Sequence, residues 1–141
     1  MFYEQRMTVP DSPAALRAEY ADDLAAVVEQ RGAADAAADT DLEQATLEAI
    51  SAGDEPDLTL EEAAQVQALA EGTPDPETIV TMALEHLLLG MSTAVLDVDA
   101  VESDLEIDLD AKEIHQKIEG RAPMSFAEFV HIQHVIADGA P

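Results

Sequence analysis

The sequence predicts an all-α protein: two tandem, degenerate helix-turn-helix units of four helices each, sharing one core around a long central helix. Three observations carry this prediction. Apolar residues recur at helical spacing and nowhere alternate with polar ones over the length of a strand. Ser/Thr-x-x-Glu signals, which open helices by reciprocal capping, occur at Thr40/Glu43, Thr59/Glu62 and Ser125/Glu128. The second half of the chain also repeats the order of signals in the first.

Residues 1–11 read as a short lead-in, docked or frayed. The first unit spans 12–72. Ser12-Pro13 gives an N-cap and an N1 proline, because proline fixes a helical φ where no N–H is needed. Leu16, Tyr20, Leu24, Val27 and Val28 follow at helical spacing up to Gly32. Ala33–Asp39 is a short Ala-rich helix. Thr40 caps the next helix, which turns Leu42, Leu47 and Ile50 inward and stops at Gly53, with Pro56 behind it. Thr59 opens a fourth helix that runs to Gly72, where a left-handed terminal residue fits.

The second unit spans 76–139. Asp75-Pro76 starts the longest helix, mostly apolar from Ile79 to Leu96. A membrane span needs about 20 apolar residues, and this stretch is shorter and carries Glu85 near its middle. It is therefore expected to be buried, with no membrane partner; any part left exposed would form a homodimer seam. Asp97–Leu105 forms a short helix. Asp108 caps a helix through Glu119 that Gly120 and Pro123 end, and Ser125 opens the last helix, to about Ala137.

In the repeat, Asp41-Leu42 aligns with Asp108-Leu109, Leu47 with Ile114, Gly53 with Gly120 and Pro56 with Pro123. With one residue dropped from the loop, Leu58-Thr59-Leu60 aligns with Met124-Ser125-Phe126, Glu62 with Glu128 and Gln67 with Gln133. The string Leu42-x3-Thr46-Leu47-x2-Ile50-x2-Gly53-x2-Pro56, followed by a capped amphipathic helix, resembles the lambda-repressor-like helix-turn-helix family. In that family the helix ending at this glycine is the recognition helix, so the resemblance implies a DNA-binding fold. Asp41 stands where the tight-turn glycine is usual, and the exposed Glu43, Gln44 and Glu48 include no basic side chain. The first unit thus carries the fold without phosphate-binding chemistry.

The charge narrows the function classes. Six Lys and Arg face 31 Asp and Glu, a formal net charge of −25. Residues 32–111 hold no Lys or Arg and 21 acids, interleaved with Ala, Leu and Val rather than massed in a tail. Asp97–Glu102 lacks the central glycine and terminal glutamate of a calcium loop. The remaining explanation is a surface adapted to high salt, where a Debye length of about 3 Å at 1 M screens the self-repulsion. With no cysteine, thiol catalysis and Cys-based metal sites are excluded. Met1–Arg6 lacks a basic segment followed by an apolar run, so no secretory signal is expected there.

One segment departs from the acidic pattern. Lys112, Lys117 and Arg121 are half of all the basic residues. Lys112, His115 and Gln116 lie at i, i+3 and i+4 and share a helix face, while Ile114 and Ile118 point the other way. Lys112, His115, Gln116, Lys117 and Arg121 are the candidate contact residues, for nucleic acid through donors to phosphates and base edges or for an acidic protein surface. Helix-end stabilisation by the macrodipole is the plain explanation of the same residues. His131 and His134 lie three apart, but a zinc site needs further ligands that the sequence does not offer. Gly-rich phosphate loops and nucleophile elbows are missing. No metal, cofactor or catalytic residue is expected.

Leu87–Met91, Leu109–Ile114 and Lys117–Arg121 resemble a small haloarchaeal protein family of unknown function. That resemblance implies a salt-rich cytoplasm and supplies neither activity nor site residues. The expectation from sequence is a non-enzymatic halophilic regulatory protein that contacts DNA through its second unit. The alternative is a protein–protein adaptor that has lost DNA binding. A metal-dependent enzyme built on His131 and His134 is the remaining rival.

Overall fold

The computed structural model describes residues 1–139, and among them eight helices form: α1 Pro13–Arg31, α2 Ala33–Asp39, α3 Gln44–Ser51, α4 Leu60–Gln67, α5 Pro76–Ala94, α6 Val98–Asp104, α7 Ala111–Ile118 and α8 Phe126–Asp138. Among these residues the only β pairing is an isolated antiparallel bridge, so the all-α expectation holds. No single helix is long and apolar enough to cross a membrane.

Local chemistry sets most of the boundaries. Ser12 Oγ accepts from Ala15 N at 3.1 Å, and Pro13 occupies the first turn of α1. Gly32, at φ 89°, makes the break between α1 and α2. Thr59 and Ser125 form full capping boxes with Glu62 and Glu128. Two expected caps fall elsewhere. Thr40 closes α2 instead of opening α3: its hydroxyl donates to Ala36 O at 2.8 Å and accepts from Leu42 N at 3.3 Å. The Asp108 cap shifts to Asp110, which forms a capping box with Glu113. The cause is the same in both halves. Leu42 and Leu109 are buried just ahead of the helix, and an extended residue is needed to turn each inward before the helix starts. α4 ends at Gln67, short of Gly72, as Leu69 N and Ala70 N bond three residues back and tighten the chain into turns.

Helix lengths run 19, 7, 8 and 8 residues through α1–α4, and 19, 7, 8 and 13 through α5–α8. The loops before α4 and α8 meet at the bridge between Thr59 and Ser125. There Leu60 N donates to Met124 O at 2.9 Å and Phe126 N to Leu58 O at 2.8 Å. The bridged Thr59 and Ser125 are aligned with each other in the sequence repeat, and the two hydrogen bonds cross between the residues that flank them.

The core is continuous across both halves, with α1 packed on α3, α4 and α8, and α5 on α4, α7 and α8. Its centre is aromatic. Phe2 meets Phe126 edge-on at 5.0 Å between centroids and also touches Tyr3, Tyr20 and Phe129. The lead-in is thus docked. Gln133 Nε2 holds Phe2 O at 3.0 Å, His86 Nδ1 lies 2.6 Å from Tyr3 O, and His134 Nε2 lies 2.8 Å from Pro10 O. Tyr20 donates its hydroxyl to Gln133 Oε1. Burial pushes the Tyr20 hydroxyl up to about 12, although Arg6 pulls it down, so it stays a donor. Gly90 lets α5 approach α8 closely: a Cβ there would lie 2.8 Å from Ile136 Cγ2.

Candidate functional site

The five residues singled out from the sequence lie on α7 and the loop behind it. Ile114 and Ile118 anchor α7 to the core. On the outward face, Lys112 and His115 are exposed and Gln116 is half-buried. Lys117 is not on that face. Its side chain is only 14% exposed, and Nζ donates to Glu128 Oε1 at 2.9 Å and to Pro123 O at 2.8 Å. Arg121 lies beyond the helix and pairs with Glu119, whose other oxygen is 2.9 Å from His115 Nε2. The expected contact cluster is therefore largely engaged within the chain. Three of its five members meet the chain's own carboxylates, and among the described residues only Lys112 and Gln116 of the five have no carboxylate partner. With so few cations among so many acids, His115, Lys117 and Arg121, at and just beyond the C-terminal end of α7, each find an intramolecular partner.

The Lys117 arrangement has a recognisable geometry. Counting Lys117 as the first residue of a twelve-residue helix–loop–helix, Pro123 is the seventh and Glu128 the twelfth. In a calcium-binding EF-hand loop the first side chain, the seventh carbonyl and the twelfth glutamate all ligate the ion. Here the ammonium of the first residue reaches the seventh carbonyl and the twelfth carboxylate. Glu128 also accepts from Ser125 N at 2.9 Å. Burial pushes its carboxyl up, but the Ser125 N–H and the Lys117 ammonium outweigh this and hold it below the ordinary range. The signal missed in the sequence was the pairing of Lys117 with the capping-box glutamate eleven positions on.

The two histidines weighed as a metal pair border the same hollow but are differently engaged. His134 is tied to Pro10 O, and His131 Nδ1 is buried without a hydrogen-bond partner. Among the described residues no group of three or more His, Asp or Glu is placed to hold a metal ion.

A second surface lies where α5 turns into α6. The stripe Ile79–Leu96 is only partly core: Ile79, Ala83, Leu87 and Met91 are buried, but Leu88 and Leu89 are about half exposed and Val95 is 89% exposed. Leu88, Met91, Val95, Leu96 and Ala100 line a shallow concavity with Asp97 at its edge. Val95 ends α5 in the left-handed region, at φ 57° and ψ 49°. That conformation suits glycine or asparagine and costs a β-branched residue about 1–2 kcal/mol. The sequence carried the helix past Val95 to Leu96 and so read it as interior.

These features define a class, an all-helical protein with one continuous core and a neutralised basic cluster. The chain belongs to the family of unknown function DUF5791, matched over residues 16–139. Nothing among curated proteins or solved structures matches it.

Proposed function

We propose that the protein is a non-enzymatic, salt-adapted adaptor that docks a protein partner on the α5–α6 corner. The single observation behind this proposal is Val95, a bulky apolar side chain that is both strained and exposed. Nothing inside the fold is gained by it, since asparagine would hold the same turn at lower cost. Contact with a partner supplies the missing benefit. Leu88 and Leu89 extend the apolar area, and Glu85 and Asp97 flank it along the chain. On a chain of net charge −25 the fitting partner is an amphipathic segment with Lys or Arg beside its apolar residues. A second copy would bring like charge against like charge.

Two synthetic peptides test this: one helical leucine pattern flanked by lysine, the other by glutamate, titrated in about 1 M KCl and followed by amide NMR shifts. The lysine peptide should move the signals of Leu88, Leu89, Val95 and Ala100. Val95→Asn should weaken it about tenfold while raising the melting temperature, relieving about 1 kcal/mol of backbone strain. Unchanged binding by Val95→Asn would refute the proposal, as would concentration-dependent self-association mapping to the same residues.

The nucleic-acid alternative draws on the helix-turn-helix resemblance, with α3 and α7 at the recognition position. α3 has no basic residue, and the cations of α7 other than Lys112 are paired as described. If that alternative is right, Lys112→Glu abolishes DNA binding; an adaptor using the α5–α6 corner keeps its partner after the same change. The haloarchaeal resemblance belongs to the same proposal, because it supplies the salt that so acidic a surface needs.

A further inference from the structure

We propose that residues 1–11 are a displaceable internal ligand. The groove they fill between α1, α5 and α8 takes in their place an extended segment of a protein partner, one that carries two adjacent aromatic residues and an arginine. The side chains that hold the lead-in fall within the family match over 16–139, and the lead-in lies ahead of it. The groove shares no residue with the α5–α6 corner.

The way the lead-in is held is the first reason. Among the described residues no backbone–backbone hydrogen bond joins it to the rest of the fold. Side chains take its carbonyls instead. Gln133 Nε2 donates to Phe2 O at 3.0 Å, and His86 Nδ1 and His134 Nε2 lie 2.6 Å from Tyr3 O and 2.8 Å from Pro10 O. Every residue has a carbonyl, so these three donors serve any extended segment laid along the groove. Gln133 is preset for this, because Tyr20 donates to its Oε1 and so turns Nε2 toward the lead-in. These donors belong to the helices and stay when the lead-in leaves. Unmatched buried donors are costly, so the groove favours exchange of one occupant for another over standing empty.

The side chains of the lead-in set what the occupant carries. Only Phe2 and Tyr3 are buried, while Glu4, Met7 and Thr8 are exposed. Phe2 sits among Tyr20, Phe126 and Phe129, at 5.0–6.2 Å between ring centroids. Arg6, four residues on, reaches Glu19 at 2.9 Å and lies 5.7 Å from the centre of the Tyr20 ring. Two neighbouring rings and a guanidinium are the whole signature. Charge favours a separate partner over a second copy, which would bring another −25 to the groove.

The probe is a synthetic peptide of residues 1–11 with a fluorophore at its C-terminal end, titrated in about 1 M KCl and followed by anisotropy. Phe2→Asp in the full chain puts a carboxylate where the ring sits and frees the lead-in. That chain should bind the peptide saturably, and the parent, whose own lead-in competes, about tenfold more weakly. A peptide reduced to the two aromatics and the arginine among Ser and Gly should compete, and glutamate in place of that arginine should weaken it about threefold. A folded Phe2→Asp chain that ignores the peptide would overturn the proposal, as would equal binding by the parent. Hydrogen exchange of the unmodified chain gives a second reading if Phe2→Asp does not fold. The Gln133 side-chain amide, shielded by Phe2, should exchange about tenfold faster than the backbone amide of Ile132, because the lead-in opens while α8 stays formed. Equal protection would show that the lead-in leaves only on global unfolding and would overturn the proposal. A parent dimer that the peptide dissociates would overturn the separate partner in favour of two copies exchanging lead-ins.

Discussion

Replacing Lys117 with methionine keeps the apolar stem and removes the ammonium from a loop that uses it as a fixed cation. The loss has two parts. Pro123 O loses a donor, worth about 1 kcal/mol. Glu128 is left without its counter-charge, which costs about 3–5 kcal/mol for a fully buried pair. Glu128 is 24% exposed and keeps the Ser125 N–H, so this second part is reduced to about 1–2 kcal/mol. The total is about 2–3 kcal/mol. For a chain of this length each kcal/mol moves the melting temperature by about 3 °C, so Lys117→Met should lower it by about 6–9 °C.

Lys112→Met is the matched control. It removes the same charge from an exposed position with no carboxylate partner and should stay within about 0.5 kcal/mol of the parent. Thermal unfolding followed by circular dichroism in concentrated KCl measures both. Adding Glu128→Gln keeps the capping acceptor and removes the charge. The double substitution should then be less damaging than the two single losses combined, by about 1 kcal/mol. Equal melting temperatures for Lys117→Met and Lys112→Met would show that the loop does not depend on its lysine, and the fixed-cation explanation would fall.

Dilution of salt should destabilise the fold, because the Debye length grows from about 3 Å at 1 M to about 30 Å at 0.01 M and the net charge of −25 then repels itself across the whole molecule. A melting temperature unaffected by removing KCl would contradict this. Gly90→Ala should lower stability by about 1 kcal/mol: the gain of about 1 kcal/mol in helix propensity is outweighed by about 2 kcal/mol of overpacking against buried Ile136. A rise in melting temperature would show that α5 and α8 separate easily. Glu128 has a folded-state pKa below its unfolded one, so its contribution is present above the ordinary carboxylate range and is lost as pH falls through the lowered value. Glu128→Gln should accordingly flatten the acid limb of the stability curve.

Most helices were legible in the sequence because their signals are local. Ser12-Pro13, Thr59/Glu62, Asp75-Pro76 and Ser125/Glu128 act within one turn, and each caps the helix expected of it. Thr40 and Asp108 carry the same signals but lie beside Leu42 and Leu109, and burial of a leucine outweighs a cap worth about 1 kcal/mol. The docking of Phe2 was not legible, because its partners Phe126, Phe129 and Gln133 lie at the far end of the chain. The direction of Lys117 was not legible either. Helical spacing places its Cβ, but the long stem lets the charge travel to Glu128. Val95 was hidden because apolar periodicity continues past the point where the backbone turns left-handed.

The distribution of cations connects these observations. A chain with so few positive groups cannot neutralise its surface, and it does not attempt to. Four of the six Lys and Arg side chains bind carboxylates of the chain itself, and Lys117 does so from a nearly enclosed position. The surface charge is left to ions in solution, which is effective only where those ions are concentrated. At high salt a partner approaching such a surface gains from charge only where a basic group comes within a few Å of a carboxylate, and the rest must come from apolar contact. The α5–α6 corner, with its strained and exposed valine, offers that contact. On the adaptor proposal, Val95 and the acidic coat answer to the same salt-rich solvent: where salt weakens long-range electrostatic recognition, an apolar side chain held out at a cost of about 1–2 kcal/mol is worth keeping.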